Sequence, residues 1–570
     1  MLLMPFLMFT SWSLSAGYHP DMILVNGKII TVDKYFSIAE AVAIKNDRFI
    51  AVGSNDDIEK LADSSTIRID LKGKTVIPGL MDAHLHPESA SLSELVEEIP
   101  DVHSINQLLT WIETQAGKKK KGEWIIHPKF FPTRLKEMRQ PTLEELDRVA
   151  PQNPVFLNGS YGGMINTTAM RVSNITKETK IPGIIRNTVT GQPSGFISAS
   201  AFHLLKIEPS PRMTYEETLD ALEEMIKRYN SVGITGLCSG LGDSSNLKMY
   251  FDLKKRGRLT ARILQNITFP LDISASAEEI ERKLISLGYY TGFGDEWVRV
   301  GALKVSIDGG ILTGTAFLRE PWGTKAKEIY GIDDANYRGE LKISKEALIT
   351  IGTVANKIGW KFTAHCTGGG GVDMMLDAFE EVNKIHPIKS RRFSIIHGNF
   401  YTPEAIQRMK KLGVCADMQP AWFYKDADAM KTILGERRIK SFHPYKSLFE
   451  AGVMVNGGSD HMVKFDSDSA INPYNPFHAM WSIITRETER GSIIFPEEAI
   501  TREQALRMVT INNAYASFEE NSKGSIEPDK LADLVVLSED FMSCTLDKIK
   551  TIEVEMTMVG GTVVYKSESF

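Results

Sequence analysis

The chain has 570 residues, 42% of them hydrophobic and 24% charged, a balance that excludes collagen-like, disulfide-scaffold and low-complexity classes and supplies a large buried core. Lys plus Arg total 66 against 72 Asp plus Glu, a formal charge of −6, which for this length argues against nucleic acid or another polyanionic partner. Four cysteines, Cys238, Cys366, Cys415 and Cys544, make no disulfide framework.

Residues 1–16, MLLMPFLMFTSWSLSA, read as a short apolar leader ending in small residues, without the positive n-region of a bacterial export signal. The expected compartment is the cytoplasm or, through this leader, the exterior. No segment reaches the run of roughly 18 apolar residues that a membrane helix needs, so no membrane association is expected.

From Met22 the sequence runs MILVNGKIITV, AEAVAIKNDRFIAVGS and STIRIDLKGKTVIPGL, short β-rich stretches broken by Asn-Gly, Asn-Asp and Lys-Gly turns. The far end repeats the style in ADLVVLSED from Ala532 and IEVEMTMVGGTVVYKS from Ile552. Residues 22–75 and 520–570 are therefore expected to build one composite β-sandwich from both termini.

Between them, in 76–519, apolar runs alternate with amphipathic helical stretches. Strands are expected at Val76 to His86, Gly233 to Gly240, Arg262 to Thr268, Val298 to Asp308, Lys361 to His365, Phe393 to His397, Val414 to Gln419 and Val453 to Asp460. Apolar strands alternating with helices predict a parallel sheet buried on both faces, and eight of them favour closure into a (βα)8 TIM-like barrel. About 145 residues separate the first strand from the second, where one βα unit needs on the order of 30. Residues 88–230 are thus expected to form a cap inserted after strand one, with a shorter insertion, Leu312 to Gly339, after strand four. The Gly368 to Gly371 run lacks the Lys-Ser/Thr of a phosphate loop and reads as a flexible connector at the barrel mouth.

The chemistry collects at strand ends. Residues i and i+2 of a strand face the same side, so His84 and His86 in Met81-Asp-Ala-His-Leu-His86 present two imidazoles together, a seat for a divalent metal. Asp82 shares that face and reads as a supporting partner, whereas His461 is expected to point away. Strand four places Lys304 inside an apolar run, where an ammonium needs a carboxylate partner or conversion to a carbamate able to bridge two metals. Strands five, six and eight end in His365, His397 and Asp460, and the 32 residues between the two histidines fit one βα unit. Five strand ends carrying metal-capable residues point to one ring of ligands.

The order PGLMDAHLH, strand-four lysine, TAH, IIHGN, GGSD, GSIEPDKLADLVVL and TMVGGTVVY resembles the amidohydrolase superfamily, in its YtcJ-like branch, amidohydrolase family 3, which includes N-substituted formamide deformylases. The resemblance covers nearly the whole chain from Met22. It implies that His84 and His86 hold the more buried metal, that Lys304 bridges as a carbamate, that His365 and His397 hold a second ion, and that Asp460 ligates and shuttles the proton. It implies one or two divalent ions, most simply zinc, and hydrolysis of an amide or related C–N bond of a small molecule. An ester or lactone hydrolase, an isomerase and a non-catalytic ligand-binding relative remain alternatives, and a homodimer is compatible with this reading. In the cap, Ser160-Tyr-Gly-Gly-Met-Ile-Asn166 departs from the family's pattern, so no substrate-binding residue is carried over.

Overall fold

The computed structural model describes residues 19–95, 98–187, 189–207, 213–332 and 334–570. The leader expected in residues 1–16 lies outside the described residues.

Eight parallel strands pair in chain order as one sheet: Leu80–Leu85, Ile234–Ser239, Arg262–Thr268, Val298–Ser306, Phe362–Cys366, Ser394–His397, Cys415–Met418 and Val455–Gly457. The sheet closes on itself, because the Asp460 backbone N–H donates to His84 O and the His86 N–H donates to His461 O, each at 2.7 Å. The fold is a (βα)8 barrel. Every residue of Ile234–Ser239, Phe362–Cys366 and Ser394–His397 is buried, as strands enclosed by packed helices and barrel interior must be. Several of the helices begin at side-chain caps. Ser276 with Glu279 and Thr501 with Gln504 are reciprocal capping boxes, which satisfy otherwise orphaned N–H groups and set where each helix starts.

Four boundaries differ from the sequence reading. The run Val76 to His86 is two elements: Thr75–Pro78 belongs to the terminal sheet and Leu80–Leu85 to the barrel. The break falls at Gly79, whose N–H donates to Asp533 O and where a Cβ would lie 2.3 Å from Thr235 Oγ1. The eighth strand ends at Gly457, and Asp460 follows it at φ +56°. Gly369 to Gly371 open the helix Gly369–Ile385 rather than forming a flexible connector, because Phe317 O and the Asp308 carboxylate accept the first free N–H groups. The helix Tyr215–Ser231, counted with the cap in the sequence reading, packs its buried face, including Leu222, Ile226 and Tyr229, into the barrel core.

The terminal segments form two sheets. One holds Arg48–Gly53, Ala41–Lys45, Met22–Val25 and Ile67–Asp70; the other holds Thr562–Lys566, Val554–Val559, Leu534–Leu537, Thr75–Pro78, Lys28–Ile30 and Ile38–Ala39. Leu24, Val42, Phe49, Val76, Leu534 and Met556 share one buried cluster between them. A bidentate pair joins this unit to the barrel: Arg262 donates to both Asp533 oxygens at 2.7 and 2.9 Å, with both side chains buried.

The cap carries a five-stranded sheet ordered Ile184–Arg186, Pro193–Ser198, Gly162–Ile165, Val155–Asn158, Ile125–His127, with the helices Ile105–Lys118 and Leu143–Val149 packed on it through Leu108, Ile112 and Leu146. Arg134 anchors the cap by donating to both oxygens of buried Asp426 at 2.9 and 2.8 Å. Among the described residues no helix is long and apolar enough to cross a membrane.

Candidate metal centre

Barrel closure decides where the candidate ligands meet. Because the segment after the eighth strand hydrogen-bonds to the end of the first, Asp460 is delivered beside the two histidines of that strand. Its Oδ1 lies 3.2 Å from His86 Nε2 and 3.5 Å from His84 Nε2. The ligand atoms of His84, His86 and Asp460 all fall within 4.8 Å of one another. Lys304 Nζ lies 3.3 Å from His84 Nε2. The ring of His397 is 5.4 Å from that of His84 and 4.7 Å from that of His365. All six residues line one cavity of about 510 Å³ at the C-terminal mouth of the barrel, under the cap. A larger groove of about 690 Å³, lined by Arg319, Phe400 and Arg438, holds none of them.

The surrounding structure fixes each group. Gly240 makes room for the His84 ring, since a Cβ there would stand 2.3 Å from Cε1. Asp82 accepts the N–H of His84 at 3.0 Å and that of Ser459 at 3.1 Å, tying the first strand to the turn before Asp460. Gln419, held by donating to Asp417 O, accepts from His397 Nδ1 at 2.8 Å, so the Nε2 lone pair of His397 is left free. His365 donates from Nε2 to Gly309 O at 3.0 Å, and the Tyr161 hydroxyl lies 3.1 Å from its Nδ1. His397 and Asp460 both adopt left-handed backbone conformations, φ +74° and +56°, strain that the surrounding hydrogen bonds sustain.

Electrostatics favour a cation. Burial pushes His84 and His365 well below the usual imidazole range and His397 down to about 4, so these rings are neutral and offer lone pairs. Burial pushes the Asp460 carboxyl up, but the His86 hydrogen bond and the nearby His397, His86 and Lys129 outweigh it and leave it below the usual carboxylate range. Burial brings Lys304 down to about 8 against the attraction of Asp460, and among the described residues His84 Nε2 is its one hydrogen-bond partner. Burial raises Asp82 to about 7, against hydrogen bonds from Ser459 and His84. Neutral imidazoles gathered around an ionised carboxylate are the donor set that a divalent transition metal takes.

His461 lies off this centre: its Nδ1 meets the Tyr229 hydroxyl at 2.8 Å and its Nε2 donates to Lys464 O. Sequence reasoning missed Lys129, Tyr161, Gln419 and Gly240. Tyr161 stacks on His365 with ring centroids 4.6 Å apart. The one sequence signal for it was the Gly-rich turn Ser160-Tyr-Gly-Gly, which placed it in a loop and not against a strand end 204 residues away.

The sequence profile of the amidohydrolase family matches residues 68–565. The chain belongs to that family. It is 27% identical to the N-substituted formamide deformylase of Arthrobacter pascens over 96% of this chain and 98% of that one. It is 25% identical to the putative amidohydrolase YtcJ of Bacillus subtilis, over 95% and 98%. An uncharacterized metal-dependent hydrolase from Pyrococcus horikoshii superposes with a TM-score of 0.67 at 21% identity, covering 92% of this chain and 99% of that one, which shows a shared fold. Membership of the amidohydrolase family makes the protein a hydrolase, and His84, His86 and Asp460 form its candidate seat for a divalent metal.

Proposed function

We propose that the protein hydrolyses an amide or related non-peptide C–N bond of a small molecule, with zinc as its metal. The observation that carries this reading is the buried, ionised Asp460 carboxylate 3.2 Å from His86 Nε2, inside a cavity that also contains His84, Lys304, His365 and His397. These six side chains would hold one or two ions, Lys304 doing so as a carbamate. When bound, zinc would supply Lewis acidity toward a carbonyl and toward water at neutral pH. Asp460 takes the proton of the attacking water and returns it to the leaving nitrogen. Gln419 keeps His397 in one tautomer, and Tyr161 holds the His365 ring flat against the cap. The cap roofs the cavity and restricts it to small substrates, which argues for a small-molecule partner and against a polymer.

The test is elemental analysis of the purified protein followed by a screen of N-formyl and N-acyl amines for amine release. The expected result is bound zinc and release from at least one member. A protein that purifies metal-free and cannot be loaded, or a loaded protein that releases no amine from any member, overturns the reading.

A further inference from the structure

We infer that Lys129, contributed by the cap, recognises an anionic group on the substrate, and that the substrate is an N-acyl compound carrying a carboxylate and an apolar substituent. This inference rests on the hydrolase reading above and deepens it. Lys129 follows the cap strand Ile125–His127 and lines the same cavity as His84, His86 and Asp460. Its Nζ donates to Ser160 Oγ, and among the described residues no carboxylate lies within ion-pair distance of it. An ammonium has three protons to donate, so two are unspent.

The contact with Ser160 is built into the loop. Ser160 sits at φ +70°, a conformation that a residue with a side chain adopts only under constraint. Its N–H donates to Asn158 Oδ1 at 2.8 Å, and at Gly159 a Cβ would lie 2.6 Å from Gly162 O. This tight turn brings the serine hydroxyl to the ammonium. Burial lowers Lys129 to about 8, against the attraction of Asp460, so the charge is held in a partly desolvated place where an anionic partner is worth most. Two other charged groups are already committed: Asp460 contacts His86, and the Lys342 ammonium lies 3.9 Å from the centroid of the Tyr161 ring. A metal ion would add further positive charge at the floor, leaving the cap-side lysine to be balanced by the substrate.

One part of the wall is apolar. Phe131 and Trp422 line the cavity with ring centroids 6.3 Å apart, and the Arg134 guanidinium stands 5.0 and 5.7 Å from them. Leu312 and Val463 also line the cavity. An apolar side chain placed there and a carboxylate placed at Lys129 would hold the scissile amide between them. In the reaction the water oxygen bonds to the acyl carbon, the C–N bond breaks, and the nitrogen takes the proton, giving a carboxylic acid and a free amino acid-like product.

The experiment compares N-formyl-phenylalanine with N-formyl-phenethylamine as substrates, and phenylacetate with phenylacetamide as ligands by calorimetry, with product analysis confirming that the amide stays intact during titration. The ligand titrations use both metal-loaded and chelator-treated protein, so that binding of carboxylate to the metal is separated from binding to Lys129. Wild type is expected to prefer each acid over its neutral counterpart by about tenfold or more, Lys129→Met to lose that preference, Lys129→Arg to retain part of it, and Ser160→Ala to reduce it. The Ser160→Ala variant and the wild-type acid-to-amide ratio decide the matter if Lys129→Met does not fold. Equal binding of acid and amide by chelator-treated wild type, or an undiminished preference in Lys129→Met, overturns the inference. Hydrolysis of both substrates at equal rates, unchanged by Lys129→Met, overturns it while leaving the hydrolase reading standing. Hydrolysis of neither removes the support of that reading, and the ligand titrations then still decide the role of Lys129.

Discussion

The Gln419 side-chain oxygen stands 2.8 Å from Nδ1 of His397, and this contact determines which nitrogen of the ring faces the cavity. Removing the acceptor frees the imidazole to take the other tautomer and to rotate. Gln419→Ala is expected to weaken zinc binding by about 10–100-fold with little change in the far-ultraviolet circular dichroism. Competition against a chromophoric chelator measures it, and unchanged affinity would show that Gln419 does not orient the ligand.

Gly240 has a comparable role toward His84, by leaving space rather than making a bond. Gly240→Ala places a methyl group where a Cβ stands 2.3 Å from His84 Cε1. Overpacking of this kind costs about 1–3 kcal/mol, so both the melting temperature and the bound metal per chain are expected to fall. A variant that keeps full metal content and wild-type stability would mean that the ring relaxes without penalty.

Asp460→Asn removes the proton acceptor but keeps the backbone contacts that hold this turn, the N–H to His84 O and the carbonyl that accepts from Asn472 Nδ2 at 2.8 Å. The fold is therefore expected to survive, while kcat drops by roughly 10²–10⁴. Steady-state kinetics on whichever N-acyl amine the screen identifies, beside thermal unfolding of the same sample, separates loss of chemistry from loss of structure.

Acid stability has a source in the cap. Burial pushes His127 down to about 4 from its usual 6.5, and its ring packs against Trp111 and Phe130. As pH falls, the unfolded chain takes the proton first, so stability that is complete above pH 6.5 is lost progressively toward pH 4, at up to about 1.4 kcal/mol per pH unit for this one group. His127→Phe keeps an aromatic ring in place and removes the titration. Denaturant unfolding at several pH values should show a shallower acid slope in the variant; an identical slope would assign the effect to other buried histidines.

The barrel was legible because its strands are buried on both faces and read as short runs of apolar and small residues without charge, such as Ile234–Ser239. The place of Thr75–Pro78 was not, because Val76 and Ile77 are as apolar as the barrel strand that follows; only the close approach of Thr235 and Asp533 at Gly79 separates the two. His84 and His86 announce themselves by their spacing, and Asp460 by the Gly-Gly-Ser-Asp turn. Lys129, Tyr161 and Gln419 do not. Their roles arise from long-range contacts, Tyr161 to His365 and Gln419 to His397, and no local periodicity encodes a contact across chain segments.

The terminal sheet has a consequence for how the molecule is made. Ile77 pairs with Val535, so a strand that leaves the ribosome early waits for a neighbour that leaves near the end of translation. At about 5–20 residues per second this delay is on the order of tens of seconds. Throughout it, the nascent amino-terminal strands present an unpaired edge, which exposes the partly synthesised chain to mispairing until translation nears its end.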